Sequence, residues 1–307
     1  MRFPMARTFS IVARDPQTGQ LGVAVQSHWF SVGSVVTWAA AGVGAVATQA
    51  LVEVRYGPLG LALMQAGYSA PQALAALLAA DDGRDLRQVA MVDAQGRVAV
   101  HTGRRCIPEA GHEAGEGFSV QANMMLGPEV WPAMARAYRD ASGDLAERML
   151  VALEAGQAAG GDIRGQQSAC ILIVEPVSTG RPWADTVMDL RVEDHPQPIA
   201  ELRRLVGLHR AYRHMNQGDE WLGKGEVERA LEEYRAADRL APDSEEIRFW
   251  HAVTLVDAGR LEEALPLFRE VFARNPRWAT LLERLGTVNL VGYDSQTMRR
   301  ILSTARD

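Results

Sequence analysis

Four residues in the C-terminal third recur at one fixed distance. Gly225, Ala230, Tyr234 and Pro242 return as Gly259, Ala264, Phe268 and Pro276, each 34 residues further on. A repeat of that length fits a pair of helices and their turns: the small residue lets two helices approach, the aromatic fills the gap, and the proline ends the second helix. Leu285-Gly286 stands where the first helix of a third unit would carry the same kind of pair. Beyond His195-Pro196-Gln197-Pro198 the chain is therefore predicted to be purely helical, with two repeats and a capping helix preceded by a helix over 199–212. Two repeats rarely stand alone, so this region is expected to lean on the rest of the chain through that leading helix, or to form a dimer contact.

Before about Val192 the rhythm is different. Apolar runs suited to strands cover Thr8–Asp15, Gln20–Gln26, Val43–Ala50, Gln88–Val92, Arg97–Thr102, Phe118–Asn123, Ser168–Ile173 and Thr186–Arg191. Pro16-Gln17-Thr18-Gly19 and Asp93-Ala94-Gln95-Gly96 read as hairpin turns. Helices are expected after Gly57-Pro58, Ala70-Pro71 and Gly127-Pro128, where proline suits a first turn, and from Asp144 to Ala159, stopped by Gly160-Gly161. Strands, helices, strands, helices and strands in that order suit an antiparallel sheet core with helices outside it. Two domains are predicted, over 1–198 and 199–307. A net charge of −6 without blocks of Lys and Arg argues against a nucleic-acid or anionic-membrane partner. The two cysteines, Cys106 and Cys170, fit reduced thiols. No stretch is apolar and long enough to span a bilayer, and Met1–Arg7 lacks the apolar run of a signal peptide, so the expected location is the cytoplasm.

Thr8 is the residue with the most chemistry to offer. It opens an apolar strand that folds straight back as a hairpin, which is what a nucleophile at a chain terminus needs. Once the peptide before it is removed, its own α-amino group, with a pKa of about 7.7–8.0, activates its hydroxyl without a separate histidine. That requires cleavage of the Arg7–Thr8 bond. The plainer reading is a strand residue chosen for β-propensity.

The runs Thr8–Asp15, Gly22–Gly33 and Gly42–Ala50 carry a resemblance. So do Tyr56–Gly60, Gly117–Met124, Gly160–Ser168 and Asp189–Val192. Together they resemble a bacterial family catalogued as domain of unknown function 1028, placed in the N-terminal-nucleophile (Ntn) hydrolase superfamily, over roughly residues 7–200. The resemblance implies an α+β, Ntn-hydrolase-like αββα four-layer sandwich, followed here by a small all-α unit similar to tetratricopeptide repeats. It also implies an amide-bond hydrolase with Thr8 as nucleophile.

Around Thr8, the amide of Asn123 at a strand terminus suits an oxyanion donor, or else a turn residue tolerant of left-handed backbone. Gln49 reads as a substrate contact or an internal hydrogen bond. Ser27 is a weaker candidate at the end of the second strand. His28 and Glu53 are candidate substrate-binding residues, with Glu53 able to raise the pKa of a neighbouring His28. Asp162 and Arg164 read as a pair bracing a turn or orienting substrate, and Arg14-Asp15 could play a similar part. His101 and His112 lack metal-ligand spacing, and no metal or other cofactor is expected. Two functions remain in competition. One is an amidohydrolase acting on a small C–N bond, amide or ureido. The other is a silent hydrolase fold that binds a protein partner, or another copy of itself, through residues 213–290; homo-oligomerisation is expected.

Overall fold

In the computed structural model, which describes residues 5–6 and 8–305, the chain enters as a two-residue strand, Met5–Ala6 (β1). The hairpin follows, Thr8–Arg14 (β2) and Leu21–Ser27 (β3), paired from Thr8↔Ser27 to Arg14↔Leu21. Asp15 builds its turn by accepting from the backbone N–H groups of Gln17 and Thr18, both at 2.8 Å. After a single turn at Gly33–Val36 (α1) come Thr37–Ala40 (β4) and Gly44–Leu51 (β5). Two helices, Tyr56–Gln65 (α2) and Ala70–Ala79 (α3), lead to Arg87–Asp93 (β6) and Val98–Thr102 (β7). Ser69 and Gln72, on either side of Ala70-Pro71, form a reciprocal capping box that fixes where α3 starts. Next are Gly111–Gly115 (β8), Phe118–Ala122 (β9), Val130–Asp140 (α4) and Leu145–Ala158 (α5). The series ends with Ser168–Val174 (β10), a turn at Pro182–Asp185 (α6) and Thr186–Val192 (β11).

The strands form two antiparallel sheets. One runs β1-β5-β6-β7 with β4 also on β5; the other runs β11-β10-β3-β2-β9-β8. Helices α2 and α3 pack on the first, α4 and α5 on the second, and β2, β3 and β9 face β5 and β6 across the interior. Strand β3 is covered on both sides, which is why it reads as an unbroken apolar run. Val23 and Val25 meet Ala45, Ala47 and Val92 of the opposite sheet in one buried cluster. On its other face a Cβ at Gly22 would lie 3.1 Å from the sulfur of Met149 on α5.

Three strands fall outside the sequence reading, the two-residue β1 among them. β8 is a polar edge strand, Gly-His-Glu-Ala-Gly, with no β-branched residue to announce it, and β4 is short and alanine-rich. A further difference concerns Arg14-Asp15: they lie at the opposite end of β2 from Thr8, about 20 Å away for a seven-residue strand, and Arg14 bonds the carbonyl of Ala94 instead. They play no part near Thr8.

The chain divides into two compact units between Leu205 and Val206. The expected helix over 199–212 is the first half of a single 26-residue helix, Pro198–Gly223 (α7). Beyond it lie Val227–Leu240 (α8), Glu245–Asp257 (α9), Leu261–Arg274 (α10), Arg277–Thr287 (α11) and Ser295–Ser303 (α12). Gly225 and Gly259 take φ of +77° and +73° at the turns before α8 and α10, a conformation that favours glycine. Ala230, Tyr234, Ala264 and Phe268 are all buried. Gly218 and Ala252, also 34 apart, supply the close approach on the partner helices. A Cβ on Gly218 would fall 2.8 Å from the ring of Tyr234.

Candidate active site

Strand polarity brings to one end of the two-sheet unit the starts of β2, β6, β8 and β10 and the finishes of β3, β5, β7, β9 and β11. Register then lines up polar residues in rows. In one sheet Thr8, Ser27 and Ser168 lie side by side. In the other, Gln49, Gln88 and Thr102 do the same. All of these except Thr102 are fully buried.

Hydrogen bonds join the two rows across the interior. Thr8 Oγ1 donates to Ser27 Oγ at 3.2 Å. The backbone carbonyl of Thr8 accepts from Asn123 N at 3.1 Å, Asn123 Nδ2 at 3.3 Å and Gln49 Nε2 at 3.2 Å. Gln88 is the hub. Its Oε1 accepts from Gln49 Nε2 at 2.7 Å and Asn123 Nδ2 at 2.9 Å. Its Nε2 reaches Thr102 Oγ1 at 2.8 Å and the carbonyl of Ala122 at 2.9 Å. On the far side of Gln49, Ser10 Oγ donates to Gln49 Oε1 at 2.6 Å and accepts from Gln121 Nε2 at 2.6 Å. Buried amides satisfied this fully hold one arrangement rigidly. Of the two readings of Gln49, the geometry matches the internal hydrogen bond. Asn123 likewise spends its amide on Thr8 and Gln88.

The rim of this end is braced and strained. The buried carboxylate of Asp162 accepts from Arg164 N at 2.9 Å, Arg164 Nη2 at 2.7 Å and the backbone N–H of His28 at 3.2 Å. Asp162 thus ties the 160–165 loop to the end of β3, with His28 Nδ1 3.3 Å from the carbonyl of Gln166. Glu53 pairs with Arg55 at 3.0 Å, and that bond holds its carboxyl below the usual carboxylate range. The expected His28–Glu53 pair does not form, because the guanidinium two residues away captures the carboxylate first. Of the five non-glycine residues with positive φ among those described, four sit at this end: Ser31, Ala50, Glu109 and Met124. Ala50 follows Gln49 and Met124 follows Asn123. Such conformations persist only where the surroundings impose them, and they gather at functional sites.

Beside Asn123 lies a cavity of about 60 Å³ walled by Ala50, Leu51, Leu86, Cys106 and Ile107, with Arg105 also on its lining. Burial pushes the Cys106 thiol up to about 11, which favours the protonated thiol. The end of β5 is fixed by Arg87, which donates to the carbonyl of Leu51 at 2.8 Å and pairs with Asp81 at 2.9 Å. Strand β1 occupies the free edge here, with Met5 opposite Leu51 and Ala6 opposite Ala50. Arg7 lies outside the described residues. His101 bonds the carbonyl of Arg84 and His112 bonds Thr102; among the described residues no cluster of His, Cys, Asp and Glu could hold a metal ion.

Ser10, which shares a strand face with Thr8 but lacks a terminal amine, belongs to the buried network. Sequence reasoning missed Gln88, Gln121 and Ser168. The signal it could have used is an amide or hydroxyl on the inward face of a strand whose other inward residues are small and apolar.

By sequence the chain belongs to the family of unknown function DUF1028, whose family model matches residues 8–202. A tetratricopeptide-repeat model matches residues 222–285. Among solved structures the chain is similar to a crystal structure of a protein from Silicibacter pomeroyi that is assigned to the same DUF1028 model. The two are 30% identical with a TM-score of 0.59, over 66% of this chain and 85% of that one. No curated protein matches the chain.

Proposed function

We propose that the first unit is an Ntn-type amidohydrolase built as an αββα sandwich, with Thr8 as nucleophile after cleavage of the Arg7–Thr8 bond. The observation that carries the reading is the anchoring of Thr8: its carbonyl is gripped by Asn123 and Gln49 from two different strands, and its hydroxyl sits against Ser27. A strand residue chosen only for β-propensity has no need of that network. Two further facts support the reading: helices pack on the outer face of each sheet, and the family match begins at residue 8.

The chemistry follows in balanced steps. Oγ1 of Thr8 attacks the carbonyl of residue 7, the amide becomes an ester, and water cleaves that ester to leave a carboxylate on residue 7 and a free amine on Thr8. In turnover the free amine takes the hydroxyl proton as Oγ1 attacks a substrate amide. It returns the proton to the leaving nitrogen, and water releases the acid from the Thr8 ester. Gln49, Asn123 and Gln88 position Thr8, and Asn123 also lines the cavity. Ser27 orients the hydroxyl, while His28, Glu53, Asp162 and Arg164 shape the rim that meets substrate. The test is a panel of small amides and ureido compounds offered to the wild-type chain and to Thr8→Ala. Hydrolysis by the first that drops to background in the second is expected; equal hydrolysis by both refutes the mechanism.

A second reading rests on the tetratricopeptide match over residues 222–285. Stacked helix pairs present extended surfaces for protein segments, so this region would bind a protein partner or a second copy of the chain. No described helix is long and apolar enough to cross a membrane. A capture experiment that depends on residues 213–290 supports this reading, and unchanged capture after their deletion counts against it.

A further inference from the structure

The strand ahead of Thr8 is a model of what the site binds. Met5 and Ala6 run antiparallel to Leu51 and Ala50, and a single residue separates them from the nucleophile. The edge of β5 they occupy is otherwise open at this end, because β4 covers only Gly44–Ala47 of the same edge. Beside it lies the cavity formed by Leu51, Leu86, Cys106 and Ile107, reaching to Asn123. Removing the leader would open the edge of β5 at Ala50 and Leu51, which also line the small hollow, one residue's reach from Thr8. An exposed strand edge beside a side-chain pocket is a recognised way to hold an extended peptide.

We propose that the substrates are short extended peptides or acyl-peptides, which replace β1 on β5. Main-chain hydrogen bonds to this end of β5 would set the register, and the scissile carbonyl would be the one that precedes the position of Thr8. The positive φ of Ala50 bends the end of β5, and Arg87 with Asp81 holds the carbonyl of Leu51, so the edge is held ready before it is filled. The uncut chain is then self-blocked, since its own leader sits in the substrate's place. This rests on the amidohydrolase reading and narrows it from any small amide to one with a peptide backbone on the acyl side.

The test uses the acetylated tripeptide Met-Ala-Arg, with free carboxylate, titrated calorimetrically into the chain beginning at Thr8 and into Thr8→Ala, which keeps residues 1–7. Binding to the first and none to the second is expected. In an antiparallel pair only alternate residues turn both N–H and C=O toward the partner. Peptides N-methylated at Met or at Ala should therefore differ, one weakened about tenfold or more and the other little changed. No binding to the chain beginning at Thr8, equal binding to both chains, or no effect of either methyl group overturns the proposal. If the peptide fails to bind while a simple amide is hydrolysed, this inference alone falls. If it binds as expected and no amide is ever hydrolysed, the edge stands and the amidohydrolase reading falls.

Discussion

Replacing Gln88 by leucine tests whether the buried network organises the site. The substitution keeps approximate volume and removes every polar atom. Gln49 Nε2 and Asn123 Nδ2 lose their shared acceptor at 2.7 and 2.9 Å, and the carbonyl of Ala122 loses its 2.9 Å donor. Gln49 Nε2 keeps the carbonyls of Thr8 and Gln121, so the Asn123 amide, left one partner short, sets an expected loss of about 1–3 kcal/mol. Hydrogen–deuterium exchange is the fitting assay because it reads each unit separately. Amides of β5, β6 and β9 should lose protection by that amount, while those of α9 and α10 stay unchanged. Gln65→Leu, on the exposed end of α2, serves as control and should stay within about 0.5 kcal/mol of wild type. If Gln88→Leu also changes β6 protection by less than about 0.5 kcal/mol, the network is not what holds this end together.

Other expectations follow from single contacts. Gly218→Ala puts a Cβ 2.8 Å from the Tyr234 ring and should destabilise the helical region by about 1–3 kcal/mol in thermal unfolding. Gly207→Ala, with nothing within 4 Å on the same helix, should instead stabilise by about 0.5–1 kcal/mol; the same sign for both would contradict the packing described. Burial raises the Asp81 pKa, but the hydrogen bonds from Arg87 and the N–H of Gly83 outweigh it and hold the carboxyl below its ordinary value. Its folded-state pKa is therefore depressed. The stability it contributes is present above the unfolded value of about 3.9 and is lost as pH falls through the lower folded value. Urea midpoints should fall less steeply below about pH 4 in Asp81→Asn than in wild type, and parallel curves would refute the assignment.

What was legible in the sequence is what local chemistry determines. The Thr8 hairpin announces itself through an apolar run, the turn Pro16-Gln17-Thr18-Gly19 and a second run; Ala70-Pro71 and the Gly160-Gly161 stop mark helix ends; and the 34-residue spacing marks the helix pairs. Pairings across the two sheets were not legible, because register is set by the whole fold. Gln88 meets Asn123 and Gln49 only after three strands have come together. β8 went unseen because an edge strand needs no apolar face. Glu53 was assigned to His28 although Arg55, two residues on, was the nearer charge. Arg14-Asp15 was placed near the nucleophile by proximity in sequence, whereas a strand's length carries it to the far end.

Exposure of Thr8 as the first residue is the central claim, and the intact mass of freshly purified chain, with its N-terminal sequence, tests it most directly. Wild-type protein is predicted to begin at Thr8, and Thr8→Ala to retain the residues before it. A wild-type chain that still carries Arg7, under conditions where it hydrolyses an amide, would contradict the assignment of Thr8 as nucleophile.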